Sequence, residues 1–242
     1  MRLAFLFSFL LSVLVQAQNS TPHASKEELY EGPEFKKAFN NPKDKEGLPR
    51  VLLIGDSISI GYTVDVRKRL VGKANIHRIP GNGQTAGSGA EKLPLWLGEQ
   101  KWDVIHFNWG LWDLCYRHPE SKVQGKRDKV NGTVSATPEQ YRKDLEACVI
   151  QLKKTGAKLI WCTITPVPEG EAGRKLGDDL KYNAIAAEIM KKHGIAINDL
   201  HSHALKKLPD IATKPGDVHF NKAGNVWLAE KVAAEIEKAL NN

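Results

Sequence analysis

The chain has 242 residues, of which 41% are hydrophobic and 26% are charged, enough for one α/β domain with a sizeable core. Its formal net charge is +7, but the basic residues do not form the Lys/Arg stripe with interleaved aromatic side chains that nucleic-acid binding requires. We therefore expect no nucleic-acid partner. The basic excess favours a solvated lysine-rich surface over a site for an acidic substrate.

The first residues are typical of a secretory signal peptide. Met1-Arg2 supplies a positive start, residues 3–15 are almost wholly apolar, and Val15-Gln16-Ala17 is a small-x-small cleavage site. No later segment is long and apolar enough to cross a bilayer. We predict a signal peptide over residues 1–17, a secreted or periplasmic location and no stable membrane insertion. A retained first helix is the less favoured alternative.

Residues 18–48 are polar and rich in Pro, Lys and Glu, which indicates an N-terminal extension. A short helix is predicted there, around Lys26–Asn40. A regular pattern begins after this extension, so we assign residues 49–242 to the folded domain.

Within that domain short apolar runs alternate with segments of helical period. The predicted strands are Val51–Ile54, Ala74–Ile79, Val104–Phe107, Leu159–Ile164 and Ile195–Ile197. The predicted helices lie near residues 60–71, 88–99, 138–155, 179–193 and 221–240. This alternation predicts an α/β fold, a three-layer α/β/α sandwich with a doubly wound parallel five-stranded sheet.

The three cysteines cannot form a fully paired framework because their number is odd. Cys148 lies on the apolar face of a predicted helix and Cys162 inside a predicted strand, so both resemble small buried hydrophobes. A Cys115–Cys148 bridge is possible, but the unpaired state is favoured. No Cys/His cluster has zinc spacing, and we expect neither a metal nor a cofactor.

Several polar segments directly follow predicted strands. Ser57 follows the first strand, residues 81–85 the second, residues 108–113 the third and residues 165–168 the fourth. Because the carboxyl ends of parallel strands share one edge of the sheet, these segments should surround one crevice. His219, just before the last predicted helix, joins them if that helix packs beside the first strand.

Ser57, His219 and Asp217 have the residue types of a catalytic triad. A serine hydroxyl needs an adjacent base, histidine suits that role, and a carboxylate holds the imidazole tautomer. The backbone N–H groups of Ser57 and Gly83 could bind the oxyanion. Each residue also has a purely structural interpretation: a helix cap for Ser57 and Asp217, and a hydrogen-bonded turn for His219.

From about Arg50 to Leu240 the chain resembles the SGNH or GDSL hydrolases. The resemblance rests on Gly55-Asp56-Ser57-Ile58, on Asn82-Gly83-Gln84-Thr85 and on Asp217-Val218-His219-Phe220. It implies a flavodoxin-like fold, with Ser57 as nucleophile and first oxyanion donor and Gly83 as second donor. It also implies metal-free cleavage of esters, often acetyl groups on carbohydrates.

Two positions depart from the pattern of that family. Its third block is usually Gly-x-Asn-Asp, with the asparagine as third oxyanion donor, whereas this chain has Gly110-Leu111-Trp112-Asp113. Either the Trp112 indole N–H or the Asn108 amide is then expected to replace that donor. The usual Asp-x-x-His spacing is also shortened, since Asp217 stands two residues before His219.

The long stretch Tyr116–Ala136 is predicted to be irregular, and it is rich in basic residues. Trp109, Trp112 and Tyr116 beside it are candidate substrate-binding residues for a sugar, with rim packing as an equal alternative. The function that this sequence favours is an exported serine esterase for small acyl esters, acting on a small-molecule or glycan ester. The alternatives are a glycan-binding pseudoenzyme and a lipid acyl hydrolase or thioesterase.

Overall fold

A parallel sheet of five strands forms the centre of the computed structural model, which describes residues 35–241. The strands are β1 (Arg50–Ile54), β2 (Asn75–Arg78), β3 (Val104–Phe107), β6 (Lys158–Cys162) and β7 (Ala196–Asn198). Their order across the sheet is β2-β1-β3-β6-β7, and every neighbouring pair is parallel. The predicted doubly wound five-stranded sheet is therefore confirmed, with the strand order of flavodoxin-like folds.

Seven helices accompany the strands in the described residues. They are α1 (Lys36–Phe39), α2 (Ser57–Arg69), α3 (Ala86–Leu97), α4 (Pro138–Lys153), α5 (Asp178–His193), α6 (Leu200–Leu205) and α7 (Lys222–Asn241). Helix α2 packs against α1 and α7, and α7 also packs against α6, whereas α3 packs on α4 and α4 on α5. The helices thus form the two outer layers of an α/β/α sandwich.

The sequence explains why β1 lies inside the sheet, between β2 and β3. Val51–Ile54 is continuously apolar, and each of these side chains is at most 2% exposed. A strand that is covered on both faces needs such a continuous run rather than an alternation of apolar and polar residues.

The structure differs from the sequence prediction in two places. The stretch predicted to be irregular contains a two-stranded antiparallel hairpin, β4 (Tyr116–Arg117) paired with β5 (Thr133–Val134). Helix α6 was not predicted, since its six residues are too few to show a helical period. The helix predicted around Lys26–Asn40 is described only from residue 35 onward, where α1 spans Lys36–Phe39.

The signal peptide predicted over residues 1–17 lies outside the described residues and stays a prediction. Among residues 35–241, no helix has the length and apolar character needed to span a bilayer. Cys115, Cys148 and Cys162 are buried free thiols in the structure.

Helix α3 approaches the strand edge at Gly89. A Cβ added at Gly89 would lie 2.5 Å from two carbon atoms of the Trp109 indole, whereas one added at Gly81 would meet nothing within 4 Å. The first distance is far shorter than any van der Waals contact, so α3 can lie against Trp109 only because residue 89 has no side chain.

We predict that Gly89→Ala destabilises the protein, as measured by its chemical unfolding midpoint. Overpacking costs about 1–3 kcal/mol, which exceeds the gain of roughly 0.5–1 kcal/mol from replacing a helical glycine with alanine. Gly81→Ala is the matched control and should leave the midpoint nearly unchanged. Equal midpoints for Gly89→Ala and the unsubstituted protein would contradict the packing described above.

Candidate active site

The turn between β1 and α2 presents the Ser57 side chain at the carboxyl edge of the sheet. Ser57 is the first residue of α2, and Asp56 is its N-cap, accepting a hydrogen bond from the Ile58 N–H at 3.0 Å. The capping interpretation of Ser57 is therefore wrong, because Asp56 takes that role. The Ser57 hydroxyl is left for a different partner.

That partner is His219. Ser57 Oγ lies 2.9 Å from His219 Nε2, and His219 Nδ1 lies 2.6 Å from Asp217 Oδ1. With Nδ1–H donated to the carboxylate, Nε2 carries the lone pair that can accept the serine proton. The structure thus brings together the three residues predicted to form a triad, in the order nucleophile, base and orienting acid.

The shortened Asp-x-His spacing has a structural cause. Asp217 Oδ1 also accepts the backbone N–H of His219 at 3.1 Å, so the carboxylate closes a tight turn around its own histidine. Gly216, at the position where the family pattern has aspartate, adopts a φ of +72°. A Cβ there would lie 3.0 Å from the Gly170 carbonyl oxygen. An aspartate at residue 216 would be strained and crowded.

The two carboxyl groups beside Ser57 are tuned in opposite directions. Burial raises the pKa of Asp56, and the Ile58 N–H and the charges of Arg174, His219 and Arg78 only partly offset it. Burial alone would also raise the pKa of Asp217, but its hydrogen bonds and charge interaction with His219, together with Arg127, outweigh burial and lower it. Asp217 therefore remains ionised in mildly acid solution, as its role beside an imidazolium requires.

The predicted oxyanion donors differ in whether a protein acceptor already holds them. The Ser57 N–H is in the first turn of α2, where N–H groups have no intrahelical acceptor. The Gly83 N–H, in contrast, donates to the Gly55 carbonyl oxygen at 2.9 Å. In this structure Gly83 ties its loop to the nucleophile turn rather than offering a donor to substrate.

The two candidates for the third oxyanion donor, Asn108 and Trp112, also differ in whether a protein group already accepts their hydrogen bond. Asn108 Nδ2 donates to the Cys162 carbonyl oxygen at 2.7 Å, so the amide is a buried tie between neighbouring strand ends, contrary to the prediction of an oxyanion donor. Trp112 is 6% exposed and its ring lies under the Arg117 guanidinium at 4.8 Å. No acceptor within residues 35–241 is recorded for its indole N–H, which leaves this donor for a ligand.

The predicted substrate-binding aromatic residues differ in whether their rings are exposed to a ligand. Trp109 is fully buried and donates its indole N–H to the Gly83 carbonyl oxygen at 3.1 Å. A ring with no exposed surface cannot stack on a substrate, so that prediction is wrong and Trp109 supports the Gly83 loop instead. Tyr116 is partly exposed, with Lys175 Nζ 4.1 Å from its ring centroid.

Arg78, at the end of β2, is a supporting residue that sequence reasoning missed. Its guanidinium is buried, and it donates to the Gly55 carbonyl oxygen at 3.2 Å and to Ser59 Oγ at 2.7 Å on the nucleophile turn. It also donates to the carbonyl oxygens of Ile79 and Gly81 on the loop that carries Gly83. One side chain therefore fixes the two loops relative to each other. A charged residue ending a buried strand was the available signal.

A cavity of about 570 Å³ opens beside His219. Its walls are mainly apolar and include Val167, Leu208 and Phe220, with Asp217 and His219 on one side. This volume lies within the usual range for small-molecule sites. Within the part of the chain that the structure describes, no group of three or more His, Cys, Asp or Glu side chains is arranged to hold a metal ion.

The chain is similar in sequence and in fold to known proteins. Residues 53–227 match the model of the GDSL-like lipase/acylhydrolase family. The chain is 26% identical over 224 residues to an acetylxylan esterase of Xylanibacter ruminicola, covering 81% of this chain but 45% of that protein. It therefore spans less than half the length of that curated relative.

Two solved structures illustrate the shared fold. An acetyl xylan esterase, AlAXEase, superposes with a TM-score of 0.62 at 20% identity, covering 77% of this chain and 99% of that one. A lipase/acylhydrolase from Enterococcus faecalis superposes with a TM-score of 0.64 at 18% identity, covering 79% and 96%. At 20% and 18% identity, these superpositions show that the fold is shared and nothing more.

We predict that Asp217→Asn lowers kcat for an activated ester by a factor on the order of 10⁴. An amide NH₂ can donate to Nδ1 and so favour the tautomer that places N–H, not a lone pair, toward Ser57. Asp210→Asn, an exposed neighbour on the same loop, is the control and should retain full activity. A fully active Asp217→Asn variant would exclude Asp217 as the orienting residue.

The same substitution should change the response of stability to acid. The pKa of Asp217 is lowered by folding, so its stabilising contribution is present above the ordinary aspartate pKa. That contribution is lost as the pH falls through the lowered value. Urea unfolding of Asp217→Asn at a series of acid pH values should therefore show a shallower loss of stability than the unsubstituted protein.

We predict that Trp112→Phe lowers kcat by roughly 10²–10³ with little change in KM, because it removes one donor to the oxyanion while keeping an aromatic ring. Trp96→Phe provides the matched control, since Trp96 lies on α3 away from Ser57. Steady-state kinetics on 4-nitrophenyl acetate measures both. Unchanged kcat in Trp112→Phe would remove the indole from the oxyanion hole.

Proposed function

The chain belongs to the GDSL-like lipase/acylhydrolase family, and on that premise we propose that it is a secreted or periplasmic serine esterase. In this proposal it removes small acyl groups, such as acetyl, from carbohydrate through an acyl-enzyme on Ser57. The observation that carries the proposal is the 2.9 Å contact between Ser57 Oγ and His219 Nε2, with Asp217 behind the histidine.

Acylation begins when Ser57 Oγ attacks the ester carbonyl carbon and its proton passes to His219 Nε2. The negative charge that develops on the carbonyl oxygen is stabilised by the Ser57 N–H and the Trp112 indole N–H. The imidazolium is stabilised by Asp217, which stays charged. The bond from carbon to the alcohol oxygen then breaks, and His219 gives its proton to the departing alcohol.

Deacylation repeats these steps with water as the nucleophile. His219 Nε2 takes a proton from water as the oxygen attacks the acyl carbon, and the bond to Ser57 Oγ then breaks. His219 returns the proton to Ser57, and the carboxylic acid leaves. The net reaction is hydrolysis of one ester bond, and it requires no redox cofactor.

The carbohydrate part of the proposal is supported by sequence similarity and by the N-terminus. One relative carries the name acetylxylan esterase, and the signal peptide predicted for residues 1–17 would deliver the enzyme to extracellular polysaccharides. Both arguments support a class of substrate and do not identify a particular one, because proteins that share a fold act on many different substrates.

A second candidate, the hydrolysis of longer apolar acyl esters, is favoured by the cavity beside His219. Its volume of about 570 Å³ is larger than an acetyl group would fill, and its walls are mainly apolar. An enzyme of this kind would prefer butyrate or octanoate esters, whereas a carbohydrate acetylesterase should prefer acetate. Relative kcat/KM across 4-nitrophenyl esters of increasing chain length separates the two.

We predict that the purified protein hydrolyses 4-nitrophenyl acetate with a burst of nitrophenolate equal to the enzyme concentration, or with steady turnover if deacylation is fast. Ser57→Ala should be slower by a factor on the order of 10⁴ or more. A serine-reactive phosphonate should label Ser57, as identified by peptide mass spectrometry.

Ser202→Ala is the control for serine removal, because Ser202 is exposed on α6. If the unsubstituted protein and Ser57→Ala are equally inert and the phosphonate labels neither, the chain is not a serine esterase. Binding of glycans without hydrolysis would then support the pseudoenzyme alternative, in which the oxyanion hole is impaired because Trp112 stands where the family pattern has asparagine.

A further inference from the structure

A buried carboxylate shared by two arginines lies next to the catalytic loop. Glu171 is fully buried, and its Oε1 accepts hydrogen bonds from Arg127 Nη1 at 2.8 Å and from Arg174 Nη1 at 2.9 Å. Its Oε2 accepts the Gly173 N–H at 2.6 Å. Since one carboxylate faces two guanidinium groups, the cluster keeps one net positive charge.

The cluster sits between the β4–β5 hairpin and the loop that carries Asp217. On the hairpin side, the Lys129 N–H donates to the Ala172 carbonyl oxygen and the Tyr116 N–H to that of Gly173. On the other side, the backbone of Gly170 lies against that of Gly216. A Cβ added at Gly216 would lie 3.0 Å from the Gly170 carbonyl oxygen. Arg127 is close enough to Asp217 for its charge to act on that carboxylate.

Arg127 is the most exposed member of the cluster. Its side chain is 18% exposed, against 5% for Arg174. Its recorded hydrogen bonds use Nε, to the Gln124 carbonyl oxygen, and Nη1. Within residues 35–241 no acceptor is recorded for its Nη2, so one face of the guanidinium fork is open to a ligand.

The surrounding charges favour an anion over a cation. Residues 116–129 and 169–175 together carry seven basic and four acidic side chains. The acidic ones are Glu120, Asp128, Glu169 and Glu171. Asp128 accepts hydrogen bonds from the backbone N–H groups of Val130 and Asn131 and from the Asn131 side chain. Glu171 is bonded to the two arginines. In these two segments the basic side chains therefore outnumber the acidic ones, and this excess favours a negatively charged substrate.

We propose that Arg127 binds a carboxylate on the substrate, so that the preferred ester is borne by an acidic carbohydrate such as a uronic-acid unit. The proposal rests on the esterase function argued above and names its substrate class. Arginine suits this role because its planar fork matches a carboxylate and stays charged at every working pH. It makes Arg127 a specificity residue with no part in the bond-breaking steps.

The test uses two acetylated substrates that differ only in charge: an O-acetylated methyl glucuronoside and its uncharged 6-carboxamide, acetylated at the same hydroxyl. The intact protein should prefer the acid, by the ratio of kcat/KM values. Arg127→Gln should reduce that ratio by about tenfold, the loss of one charge-assisted contact, through a higher KM for the acid. The carboxamide is the internal reference, because any effect of the substitution on Asp217 changes kcat/KM for both substrates and cancels in the ratio.

Arg142→Gln is the matched control, because Arg142 is exposed on α4 and forms a salt bridge with the exposed Glu188 of α5. Arg127→Lys keeps the charge but loses the fork, and it should give an intermediate ratio. Raising the salt concentration should lower the ratio for the unsubstituted protein and leave it unchanged for Arg127→Gln. These two measurements keep the test decisive even if Arg127→Gln unfolds.

The outcomes separate this inference from the proposed function. Equal kcat/KM for the acid and the carboxamide, or a ratio that Arg127→Gln and Arg127→Lys both leave unchanged, would overturn the role of Arg127. Ser57-dependent hydrolysis of 4-nitrophenyl acetate without turnover of either sugar would overturn the substrate class alone. Absence of Ser57-dependent hydrolysis on every ester would overturn the proposed function itself.

Discussion

The hydrogen bond between Ser57 and His219 joins two segments that are 162 residues apart in the chain. It forms because β1 delivers Ser57 to the carboxyl edge of the sheet, while α7 packs against α2 and brings the preceding loop over the same edge. Every chemical step proposed for this protein passes through that bond. Its two partners come from opposite ends of the domain, so the whole sheet must be folded before the serine has a base.

The nucleophile turn is held by contacts that also decide how the oxyanion can be bound. The Gly55 carbonyl oxygen accepts both the Gly83 N–H and the Arg78 guanidinium, which locks the two loops together. The same bond occupies the N–H that the family pattern assigns to the oxyanion. The bond that makes the turn rigid therefore also removes a donor at Gly83, and the proposed mechanism depends correspondingly more on the Trp112 indole.

Much of the fold and the core of the site could be predicted because they depend on local patterns. Apolar runs located the five strands of the sheet, and the motifs around Ser57 and His219 identified two groups that meet in space. What could not be predicted depends on contacts between distant residues. Whether Trp109 is a rim residue or a buried support, and whether the Asn108 amide is already bonded to Cys162, is decided by packing alone. No sequence motif identifies Arg78, because its role depends on hydrogen bonds to two loops that meet only in the folded chain.

The backbone contact between Gly170 and Gly216 limits how this enzyme can diversify. The loop after β6 rests directly on the turn that presents Asp217. We expect an insertion or deletion there to displace the carboxylate and with it the imidazole, and so to lower catalytic activity. New specificities in this lineage are therefore expected to arise by exchange of side chains on the β4–β5 hairpin. Its outer positions, such as Val130, are exposed.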